Sequence, residues 1–167
     1  MPAPSHVYEI FVKATPDEVW QAITDPGYTR RYFHRTAVES AFRPGAGVRY
    51  VTADGETAVE GEVQVAEPGR RLVMTWHALY DPAIAAEPVS RVEWVLTPAD
   101  DAGQVTRVTL RHTGLEGSPR TWANVRLGWV VVLDGMKTLL ETGEPLTLGR
   151  LDTSGGTIDE IEGVSPA

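Results

Sequence analysis

The sequence contains no cysteine, and this absence excludes two kinds of chemistry. Without cysteine the chain cannot form a disulfide framework, and no thiolate can serve as a nucleophile or a metal ligand. A composition of this kind is typical of proteins in a reducing compartment. We therefore predict a cytoplasmic location.

Positive charge is also scarce. The chain has 15 lysine and arginine residues against 23 aspartate and glutamate residues, a formal net charge of −8. Proteins that bind nucleic acids or anionic membranes generally present a basic face to them. We therefore predict that neither nucleic acid nor a membrane is a partner.

Long apolar runs are lacking as well. The longest is VVVL within LGWVVVLDGM, far shorter than the ~20 residues that span a bilayer. The N-terminal stretch MPAPSHVYEIF has no basic region followed by an apolar one, so no signal peptide is expected. The sequence therefore predicts a soluble protein.

Short catalytic motifs are missing too. The sequence contains no GxSxG elbow, P-loop or GxGxxG fingerprint. Its four histidines, His6, His34, His77 and His112, do not have the spacing of a local metal site. We therefore predict no catalytic residue, no metal ion and no cofactor, and these absences favour a protein that is not an enzyme without deciding the matter.

Strong helix signals follow the first strand-like segment. Thr15 and Glu18 have the spacing of a capping box, and Pro16 suits the first helical position. Pro26 and Gly27 end the helix that this box begins. The predicted elements are a strand over 7–13, a helix over 16–24 and a further helical turn over 28–33.

The remainder reads as strands and then one long helix. Alternating β-type segments cover 35–42, 47–52, 57–66, 71–77, 90–97 and 104–113. After Thr113 apolar residues recur at three- and four-residue steps, which predicts an amphipathic helix over 118–142 that Gly143 ends. The segment 147–167 is small, polar and acidic, and we predict a flexible tail.

This order of elements predicts an α+β fold. A run of antiparallel strands followed by a long amphipathic helix is expected to form a curved sheet wrapped around that helix. The short helices after the first strand would plug one end of the sheet. At this length one core suffices, so we predict a single domain over 1–146.

Several segments resemble one protein family. KATPDEVWQAITDP, RPGAGVRY, RLVMTW, SRVEWVL, TRVTLRHTGL and GWVVVLDGMKTLLETG occur in the order of the activator of heat-shock protein 90 ATPase homologue (AHSA-type) domain. That family lies within the SRPBCC or START-like superfamily. The resemblance implies the helix-grip fold, with a cavity between the sheet and the long helix. It leaves function open, because one fold can carry many functions.

Aromatic residues on converging elements are candidates to line that cavity. The predicted ligand-binding residues are Trp76, Trp94, His112, Trp129 and Met136. Alternation places His112 on the inner face of its strand, either as a core histidine satisfied by protein groups or as a ligand contact.

Two glycines share one stripe of the long helix. Gly128 and Gly135 lie seven residues apart, and each destabilises a helix interior by ~1 kcal/mol relative to alanine. Either the helix packs closely there, or the missing side chains leave volume for a ligand. The sequence does not decide between these alternatives.

A basic and aromatic segment is the candidate surface for a protein partner. The predicted partner-binding residues are Arg30, Arg31, Tyr32 and Phe33. Alternatively, the two aromatic rings pack inward while the arginines stay in solvent. Three functions therefore compete: a non-catalytic module that binds a small hydrophobic ligand, a chaperone-interaction domain, and a hydrolase or cyclase that uses the cavity. The protein would be a monomer or a homodimer.

Overall fold

The computed structural model describes residues 5–146, so the predicted tail over 147–167 lies outside the described residues. The elements, in chain order, are β1 His6–Val12, α1 Pro16–Thr24, α2 Pro26–Tyr32, β2 Ala37–Ser40, β3 Gly47–Val51, β4 Thr57–Glu67, β5 Arg71–Ala78, α3 Pro82–Ala85, β6 Ser90–Pro98, β7 Thr106–Thr113 and α4 Pro119–Thr142. The predicted strands and helices are confirmed, and α3 is an addition. Asp81 begins α3 by accepting hydrogen bonds from the backbone N–H groups of Ala83 and Ile84.

The seven strands form one antiparallel sheet in the order β1-β7-β6-β5-β4-β3-β2. The β3–β4 register shifts between Tyr50 and Val51, and the β4–β5 register shifts between Val63 and Val65. Such bulges bend a strand and increase its twist. They curve the sheet around α4, which confirms the predicted helix-grip architecture.

Helix α1 begins and ends where the sequence predicts. Both hydrogen bonds of the capping box are present, from the Glu18 N–H to Thr15 Oγ1 (3.2 Å) and from the Thr15 N–H to Glu18 Oε2 (2.7 Å). The buried face of α1 consists of Val19, Ala22 and Ile23. Because a helix of nine residues is marginal alone, packing of this face stabilises it.

The edge strand β1 is tied to α4 by side chains that bond to backbone carbonyls. His6 Nε2 lies 2.9 Å from the Trp122 carbonyl oxygen, and the Tyr8 hydroxyl donates to the Arg126 carbonyl (2.7 Å). Lys137 of α4 donates in the other direction, to the Phe11 carbonyl (2.7 Å). These bonds fix the position of α4 along the sheet. No helix within residues 5–146 is long and apolar enough to cross a membrane.

Candidate functional site: a cavity beside the long helix

A cavity of about 770 Å³ lies between the curved sheet, the α3 segment and the N-terminal half of α4. Ligand sites commonly measure about 300–1,000 Å³. The lining residues are Phe33, His34, Thr36, Tyr50, Thr52, Ala58, Val59, Trp76, Tyr80, Asp81, Ala83, Ile84, Arg120, Ala123, Asn124, Val125, Gly128, Trp129 and Val132. The space is therefore large enough for a small organic molecule.

Four buried aromatic side chains form the inner end of the cavity. Phe33 stacks on Tyr50 with ring centroids 4.5 Å apart and meets Trp129 edge-on at 5.7 Å. Trp76 packs against Trp129 at 5.0 Å. Aromatic rings offer a large apolar surface with few rotatable bonds. The inner wall is thus rigid and apolar.

A chain of hydrogen bonds holds Trp129 in place. The indole N–H of Trp129 donates to His112 Nδ1 (2.9 Å), while His112 Nε2 lies 2.7 Å from Ser90 Oγ. An indole nitrogen can only donate, so Nδ1 accepts, and the neutral ring carries its proton on Nε2. Ser90 in turn donates to the Trp76 carbonyl oxygen (3.3 Å). Both ring nitrogens of His112 are therefore satisfied by the protein.

The protonation of His112 follows from its surroundings. Burial, with a smaller contribution from nearby His6, lowers the pKa of His112 to about 3. Burial disfavours the charged form of a base, and here an N–H donor at Nδ1 opposes protonation as well. His112 is consequently neutral at physiological pH and acts as a buried hydrogen-bond bridge.

The five predicted ligand-binding residues occupy two different places. Trp76 and Trp129 line the cavity. Trp94, His112 and Met136 are fully buried and do not line it. Trp94 meets Trp129 edge-on at 5.8 Å. Part of the predicted set therefore forms the cavity wall, and part supports that wall from behind.

The two glycines of α4 also differ. At Gly128 an added Cβ would meet only His34 Nε2, at an ordinary 3.8 Å, and this residue lines the cavity. At Gly135 an added Cβ would lie 3.3 Å from Tyr32 Cβ and 3.5 Å from the Tyr32 carbonyl oxygen. Gly128 therefore leaves open volume, whereas Gly135 permits close packing of α4 on α2.

Polar residues surround the exposed side of the cavity, which we call the mouth. Arg120, Asn124 and Gly128 line it at four-residue spacing along α4, on one face of the helix. Asn124 Oδ1 accepts a hydrogen bond from the Tyr80 hydroxyl. The ring of Tyr80 is half exposed, but desolvation and the nearby charge of Asp81 raise the pKa of Tyr80 to about 12. The Tyr80–Asn124 bond joins the segment before α3 to the long helix.

His34 extends from a strained backbone at the same mouth. His34 and Arg35 have φ values of 48° and 58°, in the left-handed region that non-glycine residues seldom adopt. The side chain of His34 is partly exposed, but desolvation of its ring beside α4 lowers its pKa, and the Gly128 backbone partly opposes this by raising it. Strain of this kind is often found at functional sites.

Glu87 anchors the segment that follows α3. Its carboxylate accepts hydrogen bonds from the N–H groups of Arg120 (2.9 Å) and Thr121 (2.7 Å) and from Thr121 Oγ1 (2.7 Å). Desolvation by burial would raise the pKa of Glu87, but these bonds and the charge of Arg120 outweigh it and lower the pKa. Glu87 thus caps α4, whose own N-cap residue, Ser118, makes no side-chain capping bond.

The predicted partner-binding segment divides into exposed and buried residues. Arg30 and Arg31 are exposed, and Arg31 Nη2 donates to the Gly143 carbonyl at the end of α4 (3.0 Å). Tyr32 and Phe33 are 6% and 4% exposed, and the Tyr32 hydroxyl donates to the Ala22 carbonyl (2.7 Å). Tyr32 therefore belongs to the core and Phe33 to the cavity wall, whereas the arginines stay in solvent.

Sequence reasoning overlooked the polar residues of the mouth, which are His34, Tyr80, Asp81, Arg120 and Asn124. Arg120 and Asn124 have a recognisable signal, because their spacing places them on the stripe of Gly128. His34 has no such signal in the sequence, because its ring approaches α4 only in the folded protein, from a backbone with a positive φ. Within residues 5–146 no group of three or more acidic or histidine side chains could hold a metal ion.

A curved antiparallel sheet that grips a long helix beside an open cavity defines a helix-grip protein. The family model described as "Activator of Hsp90 ATPase homolog 1-like protein" matches residues 13–141, and the chain belongs to this family. No curated protein matches the sequence significantly.

Solved structures resemble the chain over most of its length. CalU16 from Micromonospora echinospora is 26% identical with a TM-score of 0.64, and the match covers 83% of this chain and 77% of CalU16. DynU16, a putative protein of the dynemicin biosynthetic locus, is 27% identical with a TM-score of 0.70 over 86% of this chain. This chain spans 49% of DynU16.

A third relative shares the fold alone. The Aha1 dimer from Colwellia psychrerythraea is 18% identical with a TM-score of 0.65, and the match covers 84% of this chain and 98% of that one.

Proposed function

We propose that this protein is a non-catalytic module that binds a small apolar ligand in the cavity beside α4. The observation that carries the proposal is a cavity of about 770 Å³ whose inner wall is aromatic. Protein interiors are normally close-packed, with few voids larger than a water molecule. An aromatic wall beside so large a space is an apolar surface that a ligand would cover favourably.

The proposed contact residues extend the set predicted from the sequence. Trp76 and Trp129 contact the ligand directly, together with Phe33 and Tyr50. Trp94, His112 and Met136 hold the wall from behind, because they are buried in the core rather than on the cavity surface. Binding would then depend on a wall whose shape exists before the ligand arrives.

The indole N–H signals of an NMR spectrum test this proposal. The chain has five tryptophans, of which Trp76 and Trp129 line the cavity and Trp20 and Trp122 do not. On titration with the neutral probe N-phenyl-1-naphthylamine, we expect saturable shifts of the Trp76 and Trp129 signals. The Trp20 and Trp122 signals serve as internal controls and should stay in place.

Two results would contradict the proposal. One is a titration without saturation, which would mean that the probe does not occupy a defined site. The other is a set of shifts confined to Trp20 and Trp122, which would place the probe on the protein surface. Single Trp→Phe variants assign the signals.

A chaperone-interaction domain is the second candidate function, and family membership favours it. The exposed surface available for it includes Arg30, since Tyr32 and Phe33 are buried. If this function holds, wild-type protein should stimulate the ATPase of a heat-shock protein 90, and Arg30→Glu should weaken that stimulation. Arg70→Glu, a charge reversal on the exposed turn between β4 and β5, is the control. Equal stimulation by all three proteins would show that Arg30 is not part of the interface with the heat-shock protein.

Three further hypotheses concern an enzyme activity, the cellular location and homodimerisation. A hydrolase or cyclase that uses the same cavity is supported only by the shared fold. A cytoplasmic location rests on the absence of cysteine from the sequence. The dimer named for the Colwellia relative makes homodimerisation a hypothesis that native mass spectrometry would decide.

A further inference from the structure

The residues that line the cavity change from apolar at its inner end to polar at its mouth. The four aromatic residues of its inner end are buried, whereas His34, Tyr80, Asp81 and Arg120 are exposed at the mouth. A ligand that matched this wall would have an apolar body and one polar end directed to solvent.

Two residues at the mouth have free hydrogen-bond donors. Among residues 5–146 the Arg120 guanidinium forms no ion pair or hydrogen bond. Asn124 uses its Oδ1 to accept from Tyr80, and no bond engages its NH₂ group within that same range. Arg120 and Asn124 lie one helical turn apart on the same face of α4, so a single group can contact both.

The carboxylates of Asp81 and Glu87 accept hydrogen bonds from backbone N–H groups, although Asp81 Oδ2 stays free among the described residues. Asp81 Oδ1 accepts from the N–H groups of Ala83 and Ile84. Glu87 uses both of its oxygens on the first turn of α4. The charge of Arg120 lies close enough to Glu87 to lower its pKa, but neither carboxylate forms an ion pair with Arg120 in the described part of the chain. The hydrogen-bond donors of the guanidinium therefore remain available to a ligand.

We propose that the ligand is an amphiphilic anion, with an apolar, preferably aromatic, body on the Phe33–Tyr50–Trp76–Trp129 wall and a carboxylate or comparable anionic group on Arg120 and Asn124. This inference rests on the proposed binding function and adds the chemical class of the ligand. Guanidinium forms charge-assisted hydrogen bonds with such groups, and these are stronger than neutral ones. Arg120 therefore determines specificity, while the aromatic wall supplies binding energy for any apolar body.

A matched pair of probes separates these contributions. 8-Anilinonaphthalene-1-sulfonate and N-phenyl-1-naphthylamine share one aromatic body, and the first also carries a sulfonate. We expect Arg120→Gln to weaken binding of the anionic probe roughly fivefold to tenfold and to leave the neutral probe unchanged, because only the charge-assisted bond is lost. Added salt should weaken the binding of the anionic probe and leave the binding of the neutral probe unchanged.

Arg126→Gln is the matched control. It removes the same charge from the same helix, but Arg126 does not line the cavity. It should change the binding of neither probe by more than about twofold, because Arg126 makes no contact with the cavity and solvent screens its charge.

Three results would overturn the inference. If wild-type protein binds the neutral probe and Arg120→Gln affects both probes equally, or neither, the cavity binds apolar molecules without preference for an anion, and the proposed function stands. If a cationic naphthalene probe binds more tightly than the anionic one, Asp81 and not Arg120 sets the preference. If wild-type protein binds no probe at all, the proposed function fails together with the inference.

Discussion

Replacing His112 with leucine should destabilise the protein by about 1–3 kcal/mol near pH 7.5, because the indole N–H of Trp129 loses its buried acceptor. Leucine fills much of the same volume, so the expected loss arises from the unpaired donor rather than from a void. Replacing both partners is expected to destabilise the protein by less than the sum of the two single replacements. Trp129→Phe in the His112→Leu background should add less destabilisation than Trp129→Phe alone. Denaturant melts of the four proteins measure this coupling.

The destabilisation caused by His112→Leu should depend on pH. The pKa of His112 is about 3 in the folded protein and near its ordinary value of 6.5 in the unfolded chain. Between these values the unfolded state binds a proton that the folded state does not, so stability falls as the pH falls. The wild type should lose about 2 kcal/mol from this group between pH 7.5 and pH 5, a loss that His112→Leu lacks. The destabilisation measured for the variant should therefore shrink by that amount.

Leu110→Ala provides the control for the pH effect. Leu110 lies on the same strand, is fully buried and cannot titrate. Its destabilisation should be the same at both pH values. If the effect of His112→Leu were equally independent of pH, His112 could not be the buried neutral group that the hydrogen bonds define.

Leucine substitutions at the two glycines of α4 should have opposite effects. Gly128→Leu should abolish most binding of the neutral naphthylamine probe, because the new side chain enters the cavity. It should leave the protein at least as stable, since leucine is better than glycine in a helix by up to ~1 kcal/mol. Fluorescence titration and a denaturant melt of the same sample give both quantities.

Gly135→Leu is the matched variant, with the same change seven residues along the helix. Its new side chain would collide with Tyr32, so we expect destabilisation of about 1–3 kcal/mol. The probe affinity should change little, because Gly135 does not line the cavity. Unchanged binding in Gly128→Leu would show that the probe does not occupy this cavity. Equal destabilisation by both leucines would show that α4 packs closely at Gly128 as well.

The fold was predictable from local patterns. The capping box at Thr15 and Glu18 sets the start of α1, and Gly143 sets the end of α4 through its left-handed φ of 81°. The change of period after Thr113 separates the strands from the long helix. These signals are local, because capping, turn formation and the alternation of faces depend on neighbouring residues. The pairing of each strand from β2 to β7 with the next follows from the succession of antiparallel strands, whereas the pairing of β1 with β7 joins distant parts of the chain and arises only in the tertiary structure.

The site depended on tertiary structure. Periodicity places Gly128 and Gly135 on one stripe, but only the position of α2 decides that the second packs against Tyr32 while the first opens onto the cavity. Phe33 belongs to the cavity wall rather than to a partner surface, because the chain after α2 directs its ring onto Tyr50. A pattern along the sequence specifies which face of an element is apolar. The distance to the opposing element, which separates a packed core from an open cavity, arises only when the elements pack together.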